Sequence, residues 1–313
     1  MPLDPQAKAI IEERARLGAP ALNTLTPKEA RANAATRPVS SGPNVGRVEN
    51  RTISGPAGEI PVRIYTPAVG AGPFPAFVYF HGGGWVIGTL DMSDGRCRYL
   101  CVDGGCVVVS VDYQLAPEAK FPLPLEECYA VTDWVANNGS VLNVDSSRVA
   151  VGGDSAGGNL SAFLAQELLR TGKKGPAFQL LLYPLVQFVD IRTKKMTFQE
   201  GGFFISANLF EYFRDAYIGD DAERMDPRVS PLFAEPNAFK GLPPAHFVLC
   251  GWDPLKDEGL AYADKMASFG VRVSVREHPG MVHGFMNMTA LSDAVRIAIR
   301  DAGVEAGRAL GAI

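Results

Sequence analysis

An open, mostly parallel α/β sheet, with an antiparallel hairpin added at its front, is the fold that this 313-residue sequence predicts. Three observations predict it. From Arg47 onward, short apolar runs alternate with helix-like segments, the repetition that builds strand–crossover–strand units. Several of those runs are continuous rather than alternating in polarity, as strands covered on both faces should be. The composition, 47% hydrophobic and 20% charged, is that of a globular chain with a sizeable core.

The elements follow in chain order. Asp4-Pro5 and Thr26-Pro27 each place a capping side chain before a proline suited to the first turn of a helix. The Ala-, Glu-, Arg- and Lys-rich stretches after them, to about Leu17 and Ala35, read as two amphipathic helices. A Gly/Pro/Ser stretch near Pro38–Gly46 ends that unit. "VENRTISG" and "EIPVRIYTP" flank "PAG" and predict a β-hairpin at a sheet edge. Six further apolar runs predict strands: 76–80, 106–113, 148–153, 178–184, 245–251 and 271–277. Helical segments include 124–138, 156–170, 257–270 and 289–310. Between Val186 and Phe239 the rhythm breaks, and the residues read as an insertion carrying a helix or two, with Ser206 as a cap. The expected division is therefore 1–45 as an N-terminal helical segment, 46–185 with 240–313 as the α/β core, and 186–239 as the insertion. No internal repeat or low-complexity tract interrupts it.

The bulk numbers exclude several function classes. With a net charge of -4 and only the short, separated basic stretches 172–174 and 193–195, nothing attracts a phosphate backbone, so no nucleic-acid partner is expected. The most apolar stretch, 178–189, falls well short of the ~20 residues that a membrane helix needs. The first twenty residues hold no apolar core of a signal peptide, so a cytoplasmic location is expected. Cys97, Cys101, Cys106, Cys128 and Cys250 are odd in number and form no C-x-x-C pair. Buried thiols in a reducing compartment are the simpler reading than disulfides or a metal site.

The chemistry concentrates at Gly153-Asp154-Ser155-Ala156-Gly157, a G-x-S-x-G between an apolar run and a helical segment. In a nucleophile elbow the serine sits on a sharp strand-to-helix turn. Small residues two before and two after let the backbone pass closely and leave the hydroxyl exposed. The following helix offers unpaired N–H groups and a partial positive charge, which suit an alkoxide and the oxyanion it creates. The pattern alone also fits an ordinary glycine-rich turn. A second stretch, His81-Gly82-Gly83-Gly84-Trp85, follows a strand directly. Consecutive glycines let N–H groups converge on one point, as an oxyanion hole of the HGGG type does. No GK[ST] follows, which argues against a phosphate loop. A triad in the order Ser, Asp, His then needs two more residues. Asp253, just past a strand, is favoured over Asp257, which reads as a helix N-cap. His283 is favoured as the base: His278 follows its strand too closely, His246 lies at the wrong strand end, and His81 reads as a structural hydrogen-bonder on the oxyanion side.

Taken together, "HGGGW", "VDYQLAPEAKFP", "GDSAGGNL", "DPLKDEG" and "HGF" resemble, in order and approximate spacing, the hormone-sensitive-lipase-like carboxylesterases, the bacterial family IV esterases of the α/β-hydrolase superfamily. The resemblance covers residues 45–313. It implies an α/β-hydrolase fold and a serine esterase with Ser155 as nucleophile, His283 as base and Asp253 as its orienting carboxylate. It implies an oxyanion hole from the N–H groups of Gly83, Gly84 and Ala156. The N-terminal helices and the insertion would then form a cap over the acyl and alcohol pockets. Phe203, Phe204, Phe210, Tyr212, Phe213 and Tyr217 either line an acyl channel or form core. Tyr113, Pro117 and Glu118 are expected to fix a loop near the glycines. The expected partner is a small-molecule ester of short to medium acyl chain, with no metal or organic cofactor; similar enzymes are often homodimers. Amidase, formamidase or lactonase chemistry on the same triad is the alternative. A non-catalytic receptor on this fold, as in the plant gibberellin receptors, typically lacks the histidine that is present here.

Overall fold

The computed structural model describes residues 2–39, 41–189, 205–288 and 292–313. Two helices open the chain, α1 (Pro5–Arg16) and α2 (Pro27–Ala35). Asp4 caps α1 through its side chain. Thr26 and Glu29 close a reciprocal capping box on α2, satisfying N–H groups that a helix start leaves unpaired. The hairpin follows as β1 (Arg47–Gly55) and β2 (Gly58–Thr66), paired antiparallel around the Pro56-Ala57 turn.

The remaining strands are β3 (Phe74–Phe80), β4 (Val107–Val111), β5 (Val144–Asp154), β6 (Phe178–Leu182), β7 (Ala245–Trp252) and β8 (Val273–Val282). Together they make one eight-stranded sheet in the order β1-β2-β4-β3-β5-β6-β7-β8. β2 meets β4 antiparallel, and every pairing from β4 to β8 is parallel. β4 and β6 are buried along their whole length, which is why they read as continuous apolar runs. Alternate residues of β3 serve different layers. Val78 and Phe80 pack with α4 (Leu123–Asn137) and α5 (Ala156–Arg170). Phe77 and Tyr79 pack with α3 (Leu90–Gly104) and α8 (Asp293–Ala309). A third cluster joins β7 to α7 (Lys256–Ser268).

Three features differ from the sequence reading. Helix α3 has no counterpart among the expected helices; it starts at a Thr89 cap and ends at Gly105 in the left-handed region. Its buried face carries Ser93, Gly95, Arg96 and Gly104 beside Cys97, Leu100 and Cys101, so the apolar periodicity that marks a helix is blurred. Its Gly104 lies close against α8: a Cβ there would meet the Gly303 carbonyl oxygen at 3.1 Å, and one on Gly307 of α8 would meet the Gly104 carbonyl oxygen at 2.6 Å. Asp257 is not an N-cap. Leu255 holds that position and Asp257 lies inside the first turn of α7, where a negative charge favours the helix dipole. β8 extends past Glu277 to Val282, taking in His278 and Pro279, because β7 keeps pairing with it beyond an irregularity.

The expected insertion helix is α6 (Ala207–Tyr217), capped by Ser206, whose side chain accepts from the Leu209 N–H. Phe203, Phe204 and the basic stretch 193–195 lie outside the described residues. Among the described residues no helix is long and apolar enough to cross a membrane.

Candidate active site

Ser155 sits between the last residue of β5 and the first of α5, with φ +55 and ψ −113. A side-chain-bearing residue reaches that region only under strain, which the surrounding glycines make tolerable. A Cβ on Gly153 would lie 2.1 Å from the Phe80 carbonyl oxygen, and one on Gly157 1.9 Å from the same atom. The elbow can therefore approach the end of β3 only because both positions lack a side chain. The Ser155 N–H donates to the Leu182 carbonyl at 2.9 Å, anchoring the turn to β6. The Asn159 amide donates to the carbonyls of Leu185 (2.9 Å) and Val229 (2.8 Å), fixing the start of α5.

Asp253 follows β7 directly and His283 follows β8 directly. The register pairs Trp252 with Val282 across a shift near Cys250, which sets the two side chains next to each other. Gly251 permits it, since a Cβ there would meet the Pro279 carbonyl oxygen at 2.1 Å. His283 Nδ1 lies 2.9 Å from Asp253 Oδ2, and its Nε2 lies 2.9 Å from Ser155 Oγ. A carboxylate only accepts, so Nδ1 carries the proton and Nε2 offers its lone pair to the serine hydroxyl. The second Asp253 oxygen accepts the Leu255 N–H at 2.8 Å. The Tyr183 ring meets the imidazole edge-on at 4.9 Å. Asp253 and His283 are buried and Ser155 is partly exposed, so the hydroxyl is the group that a ligand can reach.

Opposite the serine, the loop after β3 runs through Gly83, Gly84 and Trp85 with φ of +120, +60 and +59. A Cβ on Gly83 would lie 2.0 Å from the Ile87 carbonyl oxygen, and one on Gly84 2.2 Å from the Phe213 ring. Among the described residues, the N–H groups of Gly83, Gly84 and Ala156 donate to no protein acceptor. The loop is braced from behind. The Trp85 ring stacks on Tyr217 at 4.3 Å, and the Ala116 N–H donates to the Trp85 carbonyl at 2.8 Å. Tyr113 stacks on His81 and its hydroxyl donates to the His81 carbonyl at 2.7 Å. Glu118 pairs with Arg31 of α2, whose guanidinium also donates to the carbonyls of Val86 and Ala116.

The other candidates are placed elsewhere. His81 is buried with Nδ1 turned to the Gly82 carbonyl, and burial holds its pKa low. His246 pairs with Ser274 Oγ at the opposite end of β7. His278 lies within β8 against Phe285. Of the insertion aromatics, Phe210 and Tyr217 are core, packed on Phe188 and Trp85, while Tyr212 and Phe213 are partly exposed. Among the described residues no three His, Cys, Asp or Glu side chains are grouped as a metal ion requires. Sequence reasoning gave Asp154 no task. Its buried Oδ1 accepts the Gly82 N–H (2.9 Å) and the Tyr79 hydroxyl (2.5 Å), tying the elbow to the glycine loop. A charged residue beside the serine, directly after the uncharged run 149–153, was the available signal.

Comparison with known proteins accords with this arrangement. A family model described as the alpha/beta hydrolase fold matches residues 77–287. The carboxylic ester hydrolase LipN of Mycobacterium tuberculosis is 42% identical over 250 residues, which cover 78% of this chain and 65% of that protein, a little under two thirds of its length. The esterase LipI of the same organism is 38% identical over 251 residues, covering 79% of this chain and 78% of that one. The crystal structure of a thermostable esterase from Pseudomonas putida ECU1011 superposes with a TM-score of 0.92 at 36% identity, covering 99% of this chain and 98% of the other.

Proposed function

The chain belongs to the hormone-sensitive-lipase-like branch of the α/β-hydrolase fold family, and from that premise we propose that it is a serine carboxylesterase with Ser155 as nucleophile, His283 as base and Asp253 as the orienting carboxylate. The observation that carries the reading is the unbroken run of two 2.9 Å contacts from Asp253 through His283 to Ser155. His283 Nε2 takes the hydroxyl proton as Ser155 Oγ attacks the ester carbonyl. Asp253 holds Nδ1–H and stabilises the imidazolium that forms. The N–H groups of Gly83, Gly84 and Ala156 receive the developing oxyanion, each worth about 2.7–4 kcal/mol if it acts as such donors do. The leaving alcohol departs with the proton from His283. Water activated by the same imidazole then releases the acid and restores the serine.

The N-terminal segment and the insertion act as a cap over this site. The reading is supported by Arg31 of α2, which grips the Val86 carbonyl, and by Phe213 of α6, whose ring lies over Gly84. The proposed substrates are small-molecule esters of short to medium acyl chain, a length that the graded ester panel below tests. A cytoplasmic location is supported by the cysteines: all five are buried and unpaired, with burial pushing Cys97 and Cys106 up to about 12. Because similar enzymes are often homodimers, a homodimer is the assembly to test, by mass in solution.

The test is Ser155→Ala beside the wild type on nitrophenyl esters of graded chain length, with matched amides. Loss of nearly all ester turnover in a variant of unchanged thermal midpoint is the expected result. Retained turnover refutes the nucleophile, and faster amide than ester turnover refutes the substrate class.

A further inference from the structure

The geometry points to Arg96 of α3 as a positioning residue that joins the nucleophile elbow and the glycine loop to the turn that carries His283. It rests on the reading of Ser155 and His283 as the reacting pair. Arg96 is 3% exposed, an unusual setting for a guanidinium unless it is paired. One arm, Nη2, lies 3.8 Å from Asp154 Oδ1, the atom that also accepts the Gly82 N–H and the Tyr79 hydroxyl. The same nitrogen donates to Ser93 Oγ at 3.2 Å, and the Tyr79 ring lies 5.9 Å from the guanidinium carbon. The other arm, Nη1, donates to Asn287 Oδ1. Asn287 in turn donates its backbone N–H (2.9 Å) and its side-chain amide (3.0 Å) to the Gly284 carbonyl, the residue after His283.

One side chain therefore spans three separate segments through the series Gly82, Asp154, Arg96, Asn287 and Gly284. The geometry of the guanidinium makes this possible. Its planar fork directs one donor to Asn287 and another to Ser93, and so holds its charge beside the Asp154 carboxylate, whereas an ammonium group offers a single nitrogen. The length of the series matters for turnover, because the base must stay within hydrogen-bond reach of a hydroxyl held by a different part of the chain. Arg96 touches none of the reacting atoms; it acts through Asp154 on one side and Asn287 on the other.

The experiment uses three variants of the full chain, with nitrophenyl acetate as substrate well below the melting temperature. Asn287 is exposed, so Asn287→Ala leaves the fold intact while cutting the link to the His283 turn. A base displaced by a few tenths of an ångström loses roughly tenfold in kcat, given that 1 Å can cost about 10²-fold. KM is expected to stay within about twofold, since no substrate contact is removed. Arg96→Lys keeps a charge beside Asp154 but not the fork, and should show the same kcat loss with little change in thermal midpoint. Arg96→Leu should lose both kcat and stability, and adding Asn287→Ala to either Arg96 variant should cost no further kcat, because the series is already cut. If Arg96→Leu fails to fold, the Lys variant and its double mutant decide. Wild-type kcat in Asn287→Ala and Arg96→Lys, or losses that simply multiply in the double mutant, overturn the proposal. Turnover surviving in Ser155→Ala would instead overturn the underlying assignment of the nucleophile.

Discussion

Replacing Gly157 with alanine separates two physical arguments that point in opposite directions. Gly157 lies in the first turn of α5, and helix propensity alone favours alanine over glycine by about 0.8–1.0 kcal/mol. The tertiary structure forbids the gain. The new methyl carbon would stand 1.9 Å from the Phe80 carbonyl oxygen, about 1.5 Å inside the 3.4 Å at which ordinary contact begins, and 2.8 Å from the His81 carbonyl oxygen. Both obstacles are backbone, so neither can swing aside. The start of α5 must move away from the end of β3, and that movement widens the gap between Ser155 and the Gly83–Gly84 loop. A displacement near 1 Å costs about 10²-fold in rate, or roughly 2.7 kcal/mol of transition-state stabilisation. Overpacking adds about 1–3 kcal/mol of lost stability. The assay is kcat/KM on nitrophenyl acetate together with a thermal midpoint. Gly259→Ala is the control: it too is a helical glycine, but its nearest obstacle is the far end of the Leu249 side chain at 2.9 Å, which can rotate away. Gly259→Ala should keep wild-type kcat/KM. A Gly157→Ala enzyme with wild-type kcat/KM would show that the elbow does not need the close approach described here.

Two further outcomes follow from the geometry. Asp253→Asn should lower kcat by about 10⁴-fold without unfolding the chain, because an amide can donate to Nδ1 and reverse the imidazole tautomer that Ser155 requires; Asp257→Asn, in the first turn of α7, should leave kcat unchanged, and equal losses in both would refute the assignment. Stability should also fall with acid. Burial holds His81, His246 and His278 below the ordinary value of 6.5, so below that pH the unfolded chain binds protons that the native state refuses. Their contribution is thus fully present above 6.5 and is lost as the pH falls through the native values. His246→Gln, distant from the site, should flatten the dependence of the thermal midpoint on pH; an unchanged slope would exclude His246 from it.

Much of this protein is written in local patterns. Capping residues such as Asp4 and Thr26, apolar runs such as 178–182, and glycines on either side of Ser155 each act within a few residues, and a sequence displays such signals directly. Ser155 and Asp253 were legible for the same reason, each standing just past a strand-like run, whereas His283 lies six residues beyond the run 271–277 and was reached through the chain order that a Ser-Asp-His triad needs. What only the tertiary structure decided lies in contacts between distant segments. The register of β7 on β8, with its shift near Cys250, determines that Asp253 and His283 stand side by side and that β8 outruns its apolar stretch. Helix α3 escaped notice because its buried face is lined with Arg96, Ser93 and glycines, whose partners are supplied by Asp154, Asn287 and α8. A buried polar group is satisfied by whatever the fold brings to it, and no local pattern in one dimension encodes that meeting.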